Sequence, residues 1–320
     1  MFSVVIPLYN KAHTIQRTLA SVLAQTHTEF EVIIVNDGST DNGIEAINQC
    51  TSDQRIRIIK QENQGVSAAR NNGVANAKYE YIAFLDGDDE WLPGYLAKMK
   101  TAIDLFPNAG MYCCAGIVRN ADGSEFYRLA KKYGGRILEI DFFENPHVFV
   151  HTSATVVSKS VFNKSGGFPS EMKRNQDFAL FYSLALITPV VYCAFPLSVY
   201  VGGVEGQATS NNSTEIQKHV INRFNYVYTN WVLTGCANST FKIFIKYEIR
   251  HIFISILRRK QYELFGLYIN NLDQGIIRLF SSLELYLYQR PILRKMNIFH
   301  ILLTKVLWRL NGYPRVNKSS

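Results

Sequence analysis

The chain has 320 residues, 47% of them hydrophobic and 19% charged, which excludes an intrinsically disordered polymer and leaves room for one large domain or a domain with an appendage. The net charge of +8 is unevenly spread: residues 1–214 hold 18 Lys and Arg against 21 Asp and Glu, a net of −3, and residues 215–320 hold 16 against 5, a net of +11. Partners attracted by positive charge are therefore expected for the C-terminal third alone.

In chain order, Ser3-Val4-Val5-Ile6 is a first buried strand that Pro7 is expected to stop, with Leu8-Tyr9-Asn10-Lys11 as the turn. Residues 14–25 place Ile15, Leu19, Val22 and Leu23 at helical spacing behind Thr14 as an N-cap. A second strand over 30–35 ends in Asn36-Asp37-Gly38-Ser39-Thr40-Asp41. Asp37 is placed there to accept from a ligand, or to cap the following helix through an Asx turn. A helix over 43–49 and a strand over 56–59 follow, then Gly65 and a small-residue helix over 67–77 that projects Arg70 near the strand ends. An arginine in that position suits a base carbonyl, a phosphate or a nearby aspartate.

The fourth strand, Tyr81-Ile82-Ala83-Phe84-Leu85, delivers Asp86-Gly87-Asp88-Asp89-Glu90, four carboxylates within five positions. Ligands of open α/β sheets bind at this end of the strands. Clustered carboxylates need a neutralising cation, and hard oxygen ligands suit Mg²⁺ or Mn²⁺ bridging to substrate phosphates. In an extended segment Asp86 and Asp88 share one side, and Gly87 lets a diphosphate approach the backbone. A solvated acidic turn is the bland alternative. The alternation of strands and helices argues for a doubly wound sheet, and no GxGxxG follows the first strand.

Beyond it, 95 onward is a helix, 110–119 a strand, 121–145 loop-like and 151–157 a strand. Lys173-Arg174-Asn175-Gln176-Asp177 then precedes residues 178–204, which carry no formal charge and are long enough to span a bilayer. Pro189 and Pro196 divide that stretch, so it reads as a buried helix over about 178–186 and a strand over about 190–195. Asp177, beginning a helix beside cations, is expected to stay ionised, as a helix cap or as a general base. The five cysteines form no CxxC pair, and no signal peptide is seen ahead of the first strand, so buried thiols and a cytoplasmic location are expected.

Taken together, these blocks resemble the family-2 glycosyltransferases of the GT-A fold. The matching residues are Val4 to Asn10, Val35 to Asp41, Asn63-Gln64-Gly65, Ala69-Arg70-Asn71 with Gly73, Phe84 to Asp89, Gly166-Gly167-Phe168 and Gln176-Asp177. The resemblance implies an α/β GT-A domain over 1–214, with a Rossmann-like mixed sheet and a helical C-terminal extension over 215–320. It implies that Pro7, Tyr9, Asn10, Asp37, Ser39, Arg70, Asp86 and Gly87 bind a nucleotide-sugar donor, most simply a UDP-sugar. Asp86 and Asp88 would hold Mn²⁺ or Mg²⁺, and Asp177 would deprotonate an acceptor hydroxyl during in-line, inverting displacement. The acceptor implied is a glycan or lipid-linked oligosaccharide of surface-polysaccharide biosynthesis. Two departures stand out: Gln176 replaces the glutamate usual before the base, and Tyr200-Val201-Gly202-Gly203 lacks the arginine and histidine many members carry there. A non-catalytic nucleotide-sugar binder is the alternative function.

In the C-terminal third, 241–260, 274–288 and 298–310 have helical patterns. Lys242, Lys246, Arg250 and His251 fall near one face among aromatic and isoleucine residues, a pattern that suits an anionic membrane surface on the inner side of the cell membrane, or a solvated helix face. No nucleic-acid-binding module is present, so nucleic acid is not an expected partner.

Overall fold

The computed structural model describes residues 1–144, 150–203, 214–235 and 237–289, with the single positions 302 and 306. The chain divides into two compact units, residues 1–141 with 148–210, and residues 142–147 with 211–320.

The first unit opens with β1 (Phe2–Leu8), α1 (Ile15–Leu23), β2 (Phe30–Asp37), α2 (Gly43–Cys50), β3 (Ile56–Gln61), α3 (Val66–Ala75) and β4 (Tyr81–Phe84). Runs of valine and isoleucine buried on both faces produce β1 and β2, half-buried β3 lies at the sheet edge, and β3-β2-β1-β4 pair in parallel. Pro7 does not stop β1, which continues to Leu8. Proline lacks a donor N–H, yet Pro7 still takes its place opposite Val35, where β1 no longer pairs with β4. α3 lies close against the sheet because Gly73 has no side chain; a Cβ there would come within 2.4 Å of Val5 Cγ1.

The sheet then becomes mixed. β5 (Glu90–Trp91), α4 (Tyr95–Leu105) and β6 (Met111–Arg119) are followed by two strands in the stretch expected to be loop, β7 (Glu125–Arg128) and β8 (Ile137–Ile140). Both are short. β7 is fully exposed along one edge of β6, so neither shows the apolar run that marks a buried strand. β9 (Thr155–Ser158) begins later than its sequence suggests, because 152–154 form a 3₁₀ turn. It runs antiparallel to both β4 and β6 and joins the two parallel groups. α5 (Lys159–Ser165), α6 (Gln176–Ile187) and β10 (Val190–Val201) complete this unit. β10 passes through Pro196 by register shifts on either side of it and pairs parallel with β6. Among the described residues the strand order is β3-β2-β1-β4-β9-β6-β10-β5, with β7 on β6 and β8 on β10. The carboxyl ends of β1, β2, β4, β6 and β10 therefore share one edge.

The second unit contains α7 (Thr214–Leu233), α8 (Ser239–Arg258), α9 (Tyr262–Asn271), α10 (Gln274–Ile277) and α11 (Ser282–Gln289). The helix expected over 274–288 is interrupted at 278–281, and the one expected over 298–310 lies outside the described residues except at 302 and 306. Phe253 centres its core, with ring contacts to Phe265, Tyr268, Phe280 and Tyr288. Among the described residues no helix is long and apolar enough to cross a membrane. Cys113, Cys114 and Cys193 are buried, with thiols pushed up by burial (Cys193 to about 12), whereas Cys50 is exposed, contrary to a uniformly buried set. Cys236 lies outside the described residues.

Candidate active site

Three loops meet at the carboxyl edge of the sheet. The loop after β1 and the loop after β2 are laced together: Asn10 N donates to Ser39 Oγ (3.2 Å), Thr40 N to Asn10 Oδ1 (2.8 Å) and Ala12 N to Asp41 Oδ2 (2.8 Å). Asn10 has φ 52°, in the left-handed region that asparagine tolerates. Ser39 Oγ also donates to Leu8 O (3.3 Å), so both functions of this hydroxyl hold the loops together. Tyr9 stands out from the turn, 48% exposed.

Asp37 is buried and does not cap α2. Its carboxylate accepts from Gln61 Nε2 (2.8 Å), Gln64 N (2.9 Å) and Gly65 N (2.9 Å), fixing the turn that starts α3. Gly38 is required beside it: φ is 71° and a Cβ would meet Asn63 N at 2.9 Å. The fixed turn sets the position of Arg70 on α3. The Arg70 guanidinium is buried, pairs with Asp86 through Nη2 and lies 5.0 Å from the Phe168 ring centroid. Asn71 places that ring by accepting from Phe168 N (2.9 Å) and donating to Phe168 O (2.8 Å). The Ala-Arg-Asn and Gly-Gly-Phe blocks, far apart in sequence, are thus one construction. Arg70 Nε and Nη1 have no acceptor among the described residues.

The acidic segment is not extended. It turns, with Asp89 N donating to Asp86 O (3.1 Å), so Asp86 and Asp88 do not share a side by strand alternation. Three of the four carboxylates have a cation of their own. Asp86 has Arg70; Asp88 has Lys11 Nζ at 2.8 Å; Glu90 has Arg17 Nε at 2.7 Å and Arg119 Nη1 at 2.9 Å. The charge of these three is therefore met by the protein's own cations. Gly87 packs closely within the loop: a Cβ would sit 3.3 Å from Pro7 O and 3.7 Å from the Lys11 side chain. Its carbonyl accepts from Thr14 Oγ1 (2.7 Å), which ties the start of α1 to the acidic turn.

Asp89 is buried, with Oδ2 accepting from Ser153 Oγ (2.6 Å) and Oδ1 from Val201 N (3.1 Å). Burial, reinforced by Asp86 and Asp88, pushes its carboxyl well above the usual range. Ser153 Oγ accepts in turn from Asp86 N (3.1 Å), and Ser153 O accepts from Trp91 Nε1 (2.6 Å). His151 completes the support, its Nε2 3.0 Å from Ser198 Oγ; burial lowers its pKa to about 4, with Asp86 opposing and Arg128 assisting that shift. Asp177 is contributed by the first turn of α6, where its Oδ1 accepts from Phe178 N (2.8 Å). The neighbouring Gln176 Oε1 is buried without a donor. Lys11, Ser153 and His151 were not given site roles from the sequence, and Asp89 was read only as one of the clustered carboxylates. Lys11, at the end of the first turn, and Asp89, inside the acidic run, carried a signal there; Ser153 and His151 did not.

The chain matches the family Glycosyl transferase family 2 over residues 3–166, about half its length. It belongs to that family. An uncharacterized glycosyltransferase of Rickettsia felis is 49% identical over 87 residues, 27% of this chain and 14% of that protein. Another of Rickettsia typhi is 28% identical over 195 residues, 60% of this chain and 61% of that protein. The chain thus spans less than two thirds of either relative. Among solved structures, S. aureus TarS 1-349 in complex with UDP-GlcNAc is similar with a TM-score of 0.69 at 17% identity, over 98% of this chain and 93% of that one. The likeness establishes the GT-A fold for this family-2 chain.

Proposed function

We propose that the protein transfers a sugar from a nucleotide-sugar donor to a hydroxyl of a glycan or lipid-linked oligosaccharide in surface-polysaccharide biosynthesis. The observation that carries this reading is the convergence of Lys11, Arg70, Asp86 and Asp88 at the carboxyl edge of the sheet, with two Arg70 donors lacking acceptors among the described residues. A diphosphate can draw on both cations there, and charge-assisted arginine donors suit phosphate or base oxygens. A UDP-sugar is the donor we favour, since TarS has been solved with UDP and with UDP-GlcNAc. Tyr9, exposed at the rim, offers an aromatic face to the base, with Pro7, Asn10, Asp37 and Ser39 shaping the floor beneath it.

The donor set at Asp86 and Asp88 fits Mn²⁺ or Mg²⁺. Among the described residues no three His, Cys, Asp or Glu side chains gather around a cation, and these ions need only one or two carboxylates beside substrate phosphates and water. When bound, the ion supplies charge neutralisation at the departing diphosphate. Asp177 serves as the base that takes the acceptor proton, and a single base implies direct displacement with inversion. Residues 1–214 carry the chemistry, and 215–320 face the acceptor or the inner surface of the cell membrane.

Donor turnover with Asp177→Asn tests the assignment. Loss of about a hundredfold or more in transfer, with UDP affinity and Tm unchanged, supports Asp177 as base. Full activity in that variant removes it. A wild-type protein that binds UDP-sugars but never turns them over is the non-catalytic binder.

A further inference from the structure

The second unit contains a cavity of about 860 Å³ walled by α7, α8, α9 and the α8–α9 junction. That volume is within the range of small-molecule sites. Ile252, Ile256, Leu264 and Leu267 give it an apolar wall, and His251, Arg259 and Lys260 bring basic groups to it, against one carboxylate, Glu263. Glu263 lies in the first turn of α9, where a carboxylate complements the helix dipole. Gln217, the α7 contribution, is fixed by Tyr268 Oη, which donates to its Oε1 (2.6 Å).

The cations of α8 fall into two sets. Lys246 and Arg250 pair with Glu284 of α11 at 3.4 and 2.6 Å. The Arg259 and Lys260 side chains have no hydrogen-bond or ion-pair partner among the described residues. Their backbone closes α8 with two capping bonds, Lys260 N to Leu257 O (3.1 Å) and Gln261 N to Ile256 O (3.1 Å). That closure puts Lys260 at φ 59°, a left-handed position that glycine adopts freely and lysine only with strain. A charged side chain is thus kept at the cavity at a position where the fold alone favours glycine.

We propose that this cavity binds a phosphate-headed amphiphile, its phosphate on Arg259 and Lys260 and its apolar chain along Ile252, Ile256, Leu264 and Leu267. The inference goes beyond the transferase reading and does not depend on it.

Calorimetric titration of the full chain with octyl phosphate, and with its two halves, n-octanol and inorganic phosphate, is the test. One saturable site for octyl phosphate is expected, at least about tenfold tighter than for either half. Arg259→Gln and Lys260→Gly should each weaken it about tenfold, the scale of a lost charge-assisted hydrogen bond. Lys260→Gly should hold or raise Tm, because it relieves the left-handed strain, so lost binding there cannot be put down to unfolding. UDP affinity should be unchanged in both variants, which separates failure here from failure at the acidic loop. Equal binding of octanol or of inorganic phosphate would overturn the proposal, as would wild-type affinity in both variants. Sedimentation with vesicles containing phosphatidic acid assigns the phosphate to a bilayer lipid; octyl phosphate binding without sedimentation assigns it to a free amphiphile, and either result retains the site.

Discussion

The acidic loop after β4 and the basic helix α8 carry charge of opposite sign, and the fold treats them oppositely. In the loop, Lys11, Arg17, Arg70 and Arg119 are brought from four separate elements to meet Asp86, Asp88 and Glu90. Asp89, the remaining carboxylate, is buried under hydrogen bonds. On α8, Lys246 and Arg250 share a single carboxylate, Glu284 of α11, and the junction cations beyond have none among the described residues. A run of like charge in a sequence therefore says little until the fold shows which counter-charges reach it. Charge that is neutralised and partly buried resists change; charge left exposed and open is tolerant of it.

That contrast is sharpest at Asp89. Asp89→Ala should cost about 2–4 kcal/mol in urea denaturation, because Ser153 Oγ and Val201 N lose a buried acceptor. A cost below about 0.5 kcal/mol would place the loop with ordinary surface turns. The pH dependence comes next. Burial holds His151 near a pKa of about 4 against 6.5 in the unfolded chain, so the stability of its neutral ring is complete above pH 6.5 and lost as pH falls toward 4. The loss is on the order of 2–3 kcal/mol, and His151→Gln should flatten it in denaturation series between pH 7 and 4.5. Asp89, with its carboxyl raised, works in the opposite sense: its contribution is present in acid and lost as pH rises, so Asp89→Asn should steepen the acid loss. Lys11→Gln removes one partner of a partly buried pair and should cost about 1 kcal/mol by the same assay. Lys246→Gln, whose 3.4 Å contact is more exposed, should cost less than about 0.5 kcal/mol. Equal costs for these last two would erase the contrast.

Local pattern was enough to find the central strands, because buried parallel strands are written as uninterrupted apolar runs such as Val32-Ile33-Ile34-Val35. It missed β7 and β8, short strands held by their partners rather than by their own composition. The same division holds at the site. Arg70, Asp86 and Asp88 were visible as charges at strand ends. Ser153 and His151 were not, since their importance lies in contacts across 62 to 67 positions of chain or through a buried ring. Gly87 was noticed for a different reason from the one the fold gives it, close packing against Pro7 and Lys11. The basic face of α8 was legible as composition, but its division by Glu284 was a tertiary fact that sequence spacing does not contain.

The claim that the acidic loop receives a nucleotide diphosphate is tested most directly by calorimetric titration of UDP, with GDP, CDP and dTDP beside it, in the presence and absence of Mn²⁺. Wild type and Asp88→Ala should be compared at matched Tm. The account predicts metal-dependent UDP binding in the wild type that falls at least about tenfold in the variant. Absence of nucleotide binding by the wild type, or UDP binding indifferent to both the metal and the substitution, would contradict it.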